Sequence, residues 1–356
     1  MAQDLRGALV GFCNPLLDIS AVVGEDLLAE YKLNANDQIM ASPEHLPLFQ
    51  TLIDKYDAQF LPGGSAQNTL RGAQLLLPPG AAVFFGAVGQ DENAQRLKAA
   101  ADKAGLRTNY MVNPDVPTGT CALLITGHNR SMVADLKAAE TYSFAHVSAP
   151  ENWKDVEAAR FYYISGFFTA VSPETIQAVA KHAHEGGKTF TMNVSAPFVA
   201  EFFLEKLTAA MPYINILFGN ENEAAALAKA LGFDTTDIKQ IAKRVADLPA
   251  AGDRPRLVVF TQGASSTVVA TGGAGEVRVY GVTPIPSDEI GDTNGAGDAF
   301  VAGFLAKHMQ GEPLDVCVEA GHWLAGQVVR QIGPNYPDGE LAFAPTPGYA
   351  PAVETV

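Results

Sequence analysis

Between Gly291 and Phe300 the chain reads Gly-Asp-Thr-Asn-Gly-Ala-Gly-Asp-Ala-Phe, with close-set glycines leading into a predicted helix from Ala296 to about Lys307. Glycine permits unusual backbone angles and lets N–H groups approach a bound anion. The helix adds its own unpaired N–H groups and the positive end of its dipole at the same point. Asp298 sets a carboxylate in that corner, where it would repel a phosphate unless it had chemistry to do. Accepting a proton from an alcohol, while the glycine N–H groups stabilise a transferring phosphoryl group, is such chemistry. An aspartate that merely complements a helix dipole fits the same pattern. Asp292 reads as a carboxylate that organises the loop or orients a cation.

Other positions join this corner. Gly63-Gly64-Ser65 with Asn68 is a second glycine-led helix start, in which Ser65 is expected to cap Ala66–Leu77. Its N–H groups, hydroxyl and amide suit a polyol, although a plain capped helix has the same residues. Asn14 and Asp18 follow the first apolar run, where a carboxylate can accept from vicinal hydroxyls or close an Asx turn. Asn220 and Glu223 share one face of a helix start, fit either to orient water around Mg²⁺ or to cap the helix. Arg130 is expected at the tip of a hairpin, to swing onto phosphate or to stay a solvated turn charge.

The elements that must position these residues alternate regularly. Short apolar runs at Ala8–Phe12, Ala82–Phe85, Arg160–Ile164, Thr189–Met192, Ile214–Phe218 and Leu257–Thr261 read as buried strands. Between them lie helical patterns, such as the one that Ser172-Pro173-Glu174 opens and Gly186-Gly187 ends. This predicts an α/β fold with a mostly parallel sheet covered on both faces, and ligands beyond the carboxyl ends of the strands. Two stretches break the alternation: the mixed segment Leu16–Leu61, and a hairpin of Thr120–Thr126 and Ser131–Leu136 around residues 127–130. Together they predict a small β-rich lid, which would keep water from a phosphoryl donor. The expected division is a large domain of residues 1–15, 65–116 and 142–340, a lid of residues 16–64 and 117–141, and an irregular tail over 341–356.

Composition excludes several classes. The 356 residues are 47% hydrophobic, and the net charge of −15 disfavours a nucleic-acid polymer as partner. Cys13, Cys121 and Cys317 are widely spaced, which fits a reducing compartment without structural zinc. No apolar run approaches bilayer length and the start lacks a signal-peptide core, so a soluble protein of the cytoplasm or nucleus is expected, and the lack of a large apolar interface in the sequence favours a monomer. Gly187-Lys188-Thr189 is not a P-loop, and Gly295-x-Gly297 lacks the third glycine of a dinucleotide fingerprint.

The heptad Asp292–Asp298, the Gly63-Gly64 pair and Asn220-x-x-Glu223 resemble the two signatures and the magnesium motif of the ribokinase-like carbohydrate and purine kinase family. Residues 14–20, 117–122, 195–198, 217–221 and 260–263 are similar to its adenosine-phosphorylating branch. The resemblance runs from about Val10 to Pro337. It implies a ribokinase-like three-layer α/β/α fold and transfer of the γ-phosphoryl group of ATP to the 5′-hydroxyl of adenosine. On that resemblance Asp298 is the general base, and Asn294, Gly295, Ala296 and Gly297 form the anion hole. Asn14, Asp18, Gly63, Gly64, Ser65 and Asn68 hold the ribose. Leu16, Met40, Cys121, Met132, Ala134, Leu136 and Phe168 enclose the purine, and Arg130 neutralises phosphate. Asn193, Asn220, Thr261, Gly263, Asp292 and His322 line the ATP side, with Mg²⁺ near Glu223 through water. For His322, a satisfied core histidine is the alternative. Rival readings are a sugar kinase, a non-catalytic nucleotide-binding protein and, more distantly, a nicotinamide oxidoreductase. Retention of Asp298 and its glycines opposes the second.

Overall fold

A computed structural model describes residues 4–35, 38–127, 129–339 and 341–354. Its larger sheet runs, in spatial order, Ala352–Glu354, Val277–Tyr280, Thr267–Thr271, Leu257–Thr261, Ile216–Asn220, Thr189–Asn193, Phe161–Ser165, Leu9–Phe12, Ala82–Gly89 and Arg107–Asn113. From Leu257–Thr261 to Arg107–Asn113 every neighbouring pair is parallel, and the strands beyond Leu257–Thr261 are antiparallel. The central strands are buried on both faces, which is why their sequences are continuously apolar rather than alternating. Val10, Phe12, Tyr162, Ile164, Val258 and Phe260 enter one core, with the helices Pro173–Glu185, Glu221–Ala230 and Ile238–Ala246. Leu9, Tyr163 and Val259 enter the other, with the helices Ser65–Leu75, Ala296–Met309 and Leu314–Val329. Helix, sheet and helix make three layers.

The smaller sheet has the order Gln38–Met40, Asn129–Asp135, Thr120–Thr126, Leu17–Val22, Gln59–Pro62. Its own core is formed by Ile19, Ala21, Leu48, Leu52, Ala122, Leu124 and Val133. The hairpin is tighter than expected, because its second strand begins at Asn129. Arg130 therefore pairs with Ile125 inside the ladder instead of sitting on the tip. Gly127, at φ +58°, turns the chain, and His128 of the expected turn lies outside the described residues.

Two further expectations are corrected. Ser65 is the first residue of its helix, not the cap. Gly64 holds that place at φ +92°, where a Cβ would stand 2.6 Å from the Asn14 carbonyl oxygen. The segment 341–356 is not wholly irregular, since Ala352–Glu354 extends the large sheet by pairing with Val277–Tyr280. Upstream, Thr346 donates its N–H to Glu319 Oε1 at 2.9 Å and Tyr349 stacks on Tyr280, contacts between distant parts of the chain that local pattern does not reveal. Among the described residues no helix is long and apolar enough to cross a membrane.

Candidate active site

The chain's second glycine cluster builds one floor. Gly295 is the N-cap of Ala296–Met309 at φ +78°, and a Cβ there would strike Pro334 at 2.7 Å. Behind the loop, Asp292 is 1% exposed and acts as a staple. Its Oδ1 accepts from the Asn294 N–H at 2.9 Å and from Arg130 Nε at 2.7 Å, while Oδ2 accepts from the Gly333 N–H at 3.0 Å. Asp292 is thus the loop organiser and lines neither cavity of the site; Arg130 ties the small sheet to the loop through it. At Gly297 a Cβ would meet nothing within 4 Å, so its backbone is open to an incoming group.

One turn into the helix, Asp298 accepts from Ser65 Oγ at 2.7 Å and from Asn68 Nδ2 at 3.2 Å. Ser65 and Asn68, expected on a polyol, thus hold the carboxylate. Burial pushes its pKa up to about 6, and the two donors restrain the rise. Asp18 stands opposite, its carboxylate laid against Gly63, where a Cβ would collide with it. Burial and the nearby charge of Asp298 raise Asp18 to about 8, against the attraction of Arg71. Asn14 donates Nδ2 to the Phe167 carbonyl at 3.3 Å, and its buried Oδ1 has no hydrogen-bond partner among the described residues.

These groups line a cavity of about 830 Å³ between the two sheets. Asn14, Asp18, Gly64, Ser65, Asn68, Asn294, Gly295, Gly297 and Asp298 give it a polar end, with Arg130 above. Leu16, Met40, Cys121, Met132, Ala134 and Leu136 give it an apolar wall. A second cavity of about 50 Å³ is lined by Asn193, Asn220, Glu223, Thr261 and Gly297. Asn193, Asn220, Glu223 and Gly297 line both cavities. Asn220 and Glu223 form a reciprocal cap: Asn220 Oδ1 accepts from the Glu223 N–H at 2.9 Å, and Glu223 Oε2 from the Asn220 N–H at 3.1 Å. Asn220 Nδ2 also donates to Glu223 Oε1 at 2.7 Å, and burial raises this carboxyl to about 7.

Besides Asp292, five expected residues line neither cavity, and one is Gly63, packed against the Asp18 carboxylate. Phe168 is fully buried between Phe12 and Tyr142, at ring distances of 6.2 and 5.2 Å, and its neighbour Phe167 faces the cavity instead. The two adjacent phenylalanines sit on a 3₁₀ turn, Gly166–Thr169, whose phase composition does not fix. His322 lines neither cavity; Thr267 Oγ1 and the Tyr349 hydroxyl engage its two ring nitrogens at 2.8 and 2.9 Å, and burial lowers it to about 4. It is the satisfied core histidine. Gly263 is a left-handed turn residue at φ +55°, and Ala296 donates its N–H back to the Thr293 carbonyl at 3.3 Å; neither lines a cavity.

Sequence reasoning passed over Phe198, Phe203, Ser195 and Glu140, all on the cavity wall. Phe198 is 5.9 Å from Phe167 and 6.5 Å from Phe203, ring to ring. Ser195, at φ +74°, accepts the Gly166 N–H on Oγ at 2.9 Å and so fixes the Phe167 turn. The run Ser195-Ala196-Pro197-Phe198 was the available signal for these two.

A parallel sheet with an anion-ready loop, a buried carboxylate at its helix start and a polyol-sized polar end defines a small-molecule phosphotransferase. The model of the pfkB family carbohydrate kinases matches residues 28–340, and the chain belongs to that family. Adenosine kinase 1 of Arabidopsis thaliana is 42% identical over 339 residues, covering 95% of this chain and 98% of its own. Adenosine kinase of Saccharomyces cerevisiae is 40% identical over 347 residues, covering 96% and 100%. Among solved structures, Anopheles gambiae adenosine kinase in complex with di(adenosine) tetraphosphate superposes with a TM-score of 0.93 at 45% identity, covering 95% of this chain and 99% of its own.

Proposed function

We propose that this chain transfers the γ-phosphoryl group of ATP to the 5′-hydroxyl of adenosine, giving AMP and ADP. The observation that carries the reading is the position of Asp298. A carboxylate held by Ser65 and Asn68 stands at the mouth of the glycine loop, on the floor of a cavity with a polar and an apolar end. Adenosine kinases at 40–42% identity over nearly the whole chain support the substrate. A ligand with adenosine at both ends of a phosphate chain, bound by the mosquito relative, suits a site with two nucleoside ends.

In this mechanism the ribose lies at the polar end, its hydroxyls on Asp18 and Asn14. The purine lies against Leu16, Met40, Met132, Leu136 and Phe167, with Phe198 at the same wall. Asp298 accepts the proton of the 5′-hydroxyl as the O5′–P bond forms and the bond from γ-phosphorus to the β–γ bridging oxygen breaks. Charge on the transferring group is met by the N–H groups of Gly295 and Gly297 and by the N-terminus of Ala296–Met309, while the N–H groups of Asn294 and Ala296 hold the loop's shape on Asp292 Oδ1 and the Thr293 carbonyl. The transition state is loose, so alignment and charge stabilisation outweigh early proton removal. Arg130 reaches phosphate from the edge of the loop, and residues 16–64 with 117–141 close over the nucleoside as a lid.

Mg²⁺ fits the second cavity. Such an ion keeps most of its waters and binds through one or two carboxylates plus substrate phosphates. Glu223 would hold it through water, since a carboxylate has about four acceptor positions and the bonds from Asn220 do not use them all. Bound there, the ion would neutralise phosphate charge. Among the described residues no group of three or more acidic, histidine or cysteine side chains is gathered to cage a metal.

The direct test is ADP release from ATP with adenosine, inosine, guanosine, ribose and fructose as acceptors. Release with adenosine supports the reading. Release with ribose or fructose alone replaces the nucleoside by a sugar, and silence across the panel overturns the kinase.

A further inference from the structure

The helix Ser65–Leu75 carries a buried charge that phosphoryl transfer leaves unused. Arg71 is 8% exposed and stands one turn beyond Asn68. Its partners are an amide and a ring, not a carboxylate. Nη1 donates to Asn68 Oδ1 at 3.4 Å, and the guanidinium lies 5.9 Å from the centre of the Tyr336 ring. Its Nε is buried with no hydrogen-bond partner among the described residues. A guanidinium in such a place is costly, and a neutral side chain would fold with less strain on solvation.

Its geometry has a consequence for Asn68. A guanidinium offers five donors and no acceptor, so the atom of Asn68 that faces it must be the carbonyl oxygen. The amide nitrogen is thereby aimed the other way, and it donates to Asp298 Oδ2 at 3.2 Å. Tyr336 fixes the backbone of the same residue, its hydroxyl donating to the Asn68 carbonyl at 2.9 Å. Gly72 leaves room for that hydroxyl, which a Cβ there would strike.

We propose that Arg71 is a positioning residue that locks the Asn68 amide in the orientation donating to Asp298, so that the base meets the alcohol ionised and fixed. This rests on the reading of Asp298 as the base. With Arg71 absent the amide is free to turn its oxygen towards the carboxylate, which then favours its protonated form.

Other titratable groups face Asp298 from the elements around it: Cys13, Asp18, Tyr163, Glu223 and Tyr336. Arg71 also attracts Asp18 through space. The test must separate these routes. It is the pH profile of kcat/KM for wild type, Arg71→Met and Arg71→Lys, with Arg71→Met repeated in Asn68→Leu and Asp18→Asn backgrounds.

Because activity requires the ionised base, a lost donor moves the acid limb upward. Arg71→Met is expected to move it by about one pH unit, an about fivefold loss at pH 6 relative to wild type once each is normalised to its own plateau. Arg71→Lys restores it. The shift vanishes in the Asn68→Leu background and persists in the Asp18→Asn background. An unmoved limb overturns the proposal, as does a shift that survives loss of Asn68 or disappears with Asp18. Should Arg71→Met fail to fold, Arg71→Gln carries the same expectations, since its own amide can turn. Asp298→Asn separates the two readings: if it keeps wild-type turnover the base assignment fails first, and if it is inactive while Arg71→Met has a wild-type profile only the Arg71 proposal fails.

Discussion

Replacing Asp18 by asparagine is expected to stabilise the free protein while weakening nucleoside binding. The carboxyl is 8% exposed, and burial together with the charge of Asp298 lifts it from 3.8 to about 8. A folded-state pKa above the unfolded one means that the native state binds the extra proton. Stability from this group is therefore greatest below about pH 4 and is lost as pH rises through about 8. At pH 7.5 the full shift corresponds to about 5 kcal/mol, taking about 1.4 kcal/mol per unit. Water in the open cavity screens part of this, so the expected gain for Asp18→Asn is about 2 kcal/mol. With an unfolding entropy of about 2 cal/mol/K per residue, that is a rise of about 3 °C in Tm. Calorimetric melts at pH 7.5 and pH 4 test it: the gain is present at the first and nearly absent at the second. At the same time KM for adenosine rises about tenfold or more, as a carboxyl that can ionise and accept on both oxygens becomes an amide with a single acceptor. A variant that melts lower than wild type at pH 7.5, or a gain independent of pH, refutes the reasoning.

Arg256 is 1% exposed and donates to the carbonyls of Met211, Ile214, Val245, Leu248 and Pro249. Arg256→Met leaves those carbonyls without their donor and is expected to lower stability in urea by about 3–5 kcal/mol. Gly297→Ala meets no neighbour, so its Tm should be unchanged or slightly higher, while kcat falls about tenfold or more as a methyl enters the phosphate's approach. Phe168→Ala opens a core cavity and costs about 3–5 kcal/mol of stability. Phe167→Ala should leave the urea midpoint nearly unchanged and raise KM for adenosine about tenfold, through a lost stacking surface.

Much of this molecule is legible in its sequence because its strands are short, continuous and apolar. Leu9–Phe12 and Ala82–Gly89 are buried on both faces, and the glycines at 63, 64 and 295 stand where backbone or carboxylate leaves no space for a Cβ. What local pattern could not supply was phase and long-range partnership. Phe167 and Phe168 have the same chemistry, and only the turn held by Ser195 decides which faces the cavity. His322 has the type of a site residue, yet Thr267 and Tyr349, 55 and 27 residues away, satisfy it in the core. Ser65 carries a capping residue's hydroxyl, but that hydroxyl serves a carboxylate 233 residues distant. The strand Ala352–Glu354 depends on the free edge at Val277–Tyr280, which its own three residues do not announce.

The central claim is that Asp298 takes the proton of the acceptor hydroxyl, and Asp298→Asn tests it most directly. Asparagine keeps the volume and can still meet Ser65, but it cannot accept the proton. Turnover of adenosine with ATP is expected to fall by about a hundredfold or more, with adenosine affinity by calorimetry within a few-fold of wild type. A variant that turns over adenosine at close to the wild-type rate would contradict the account.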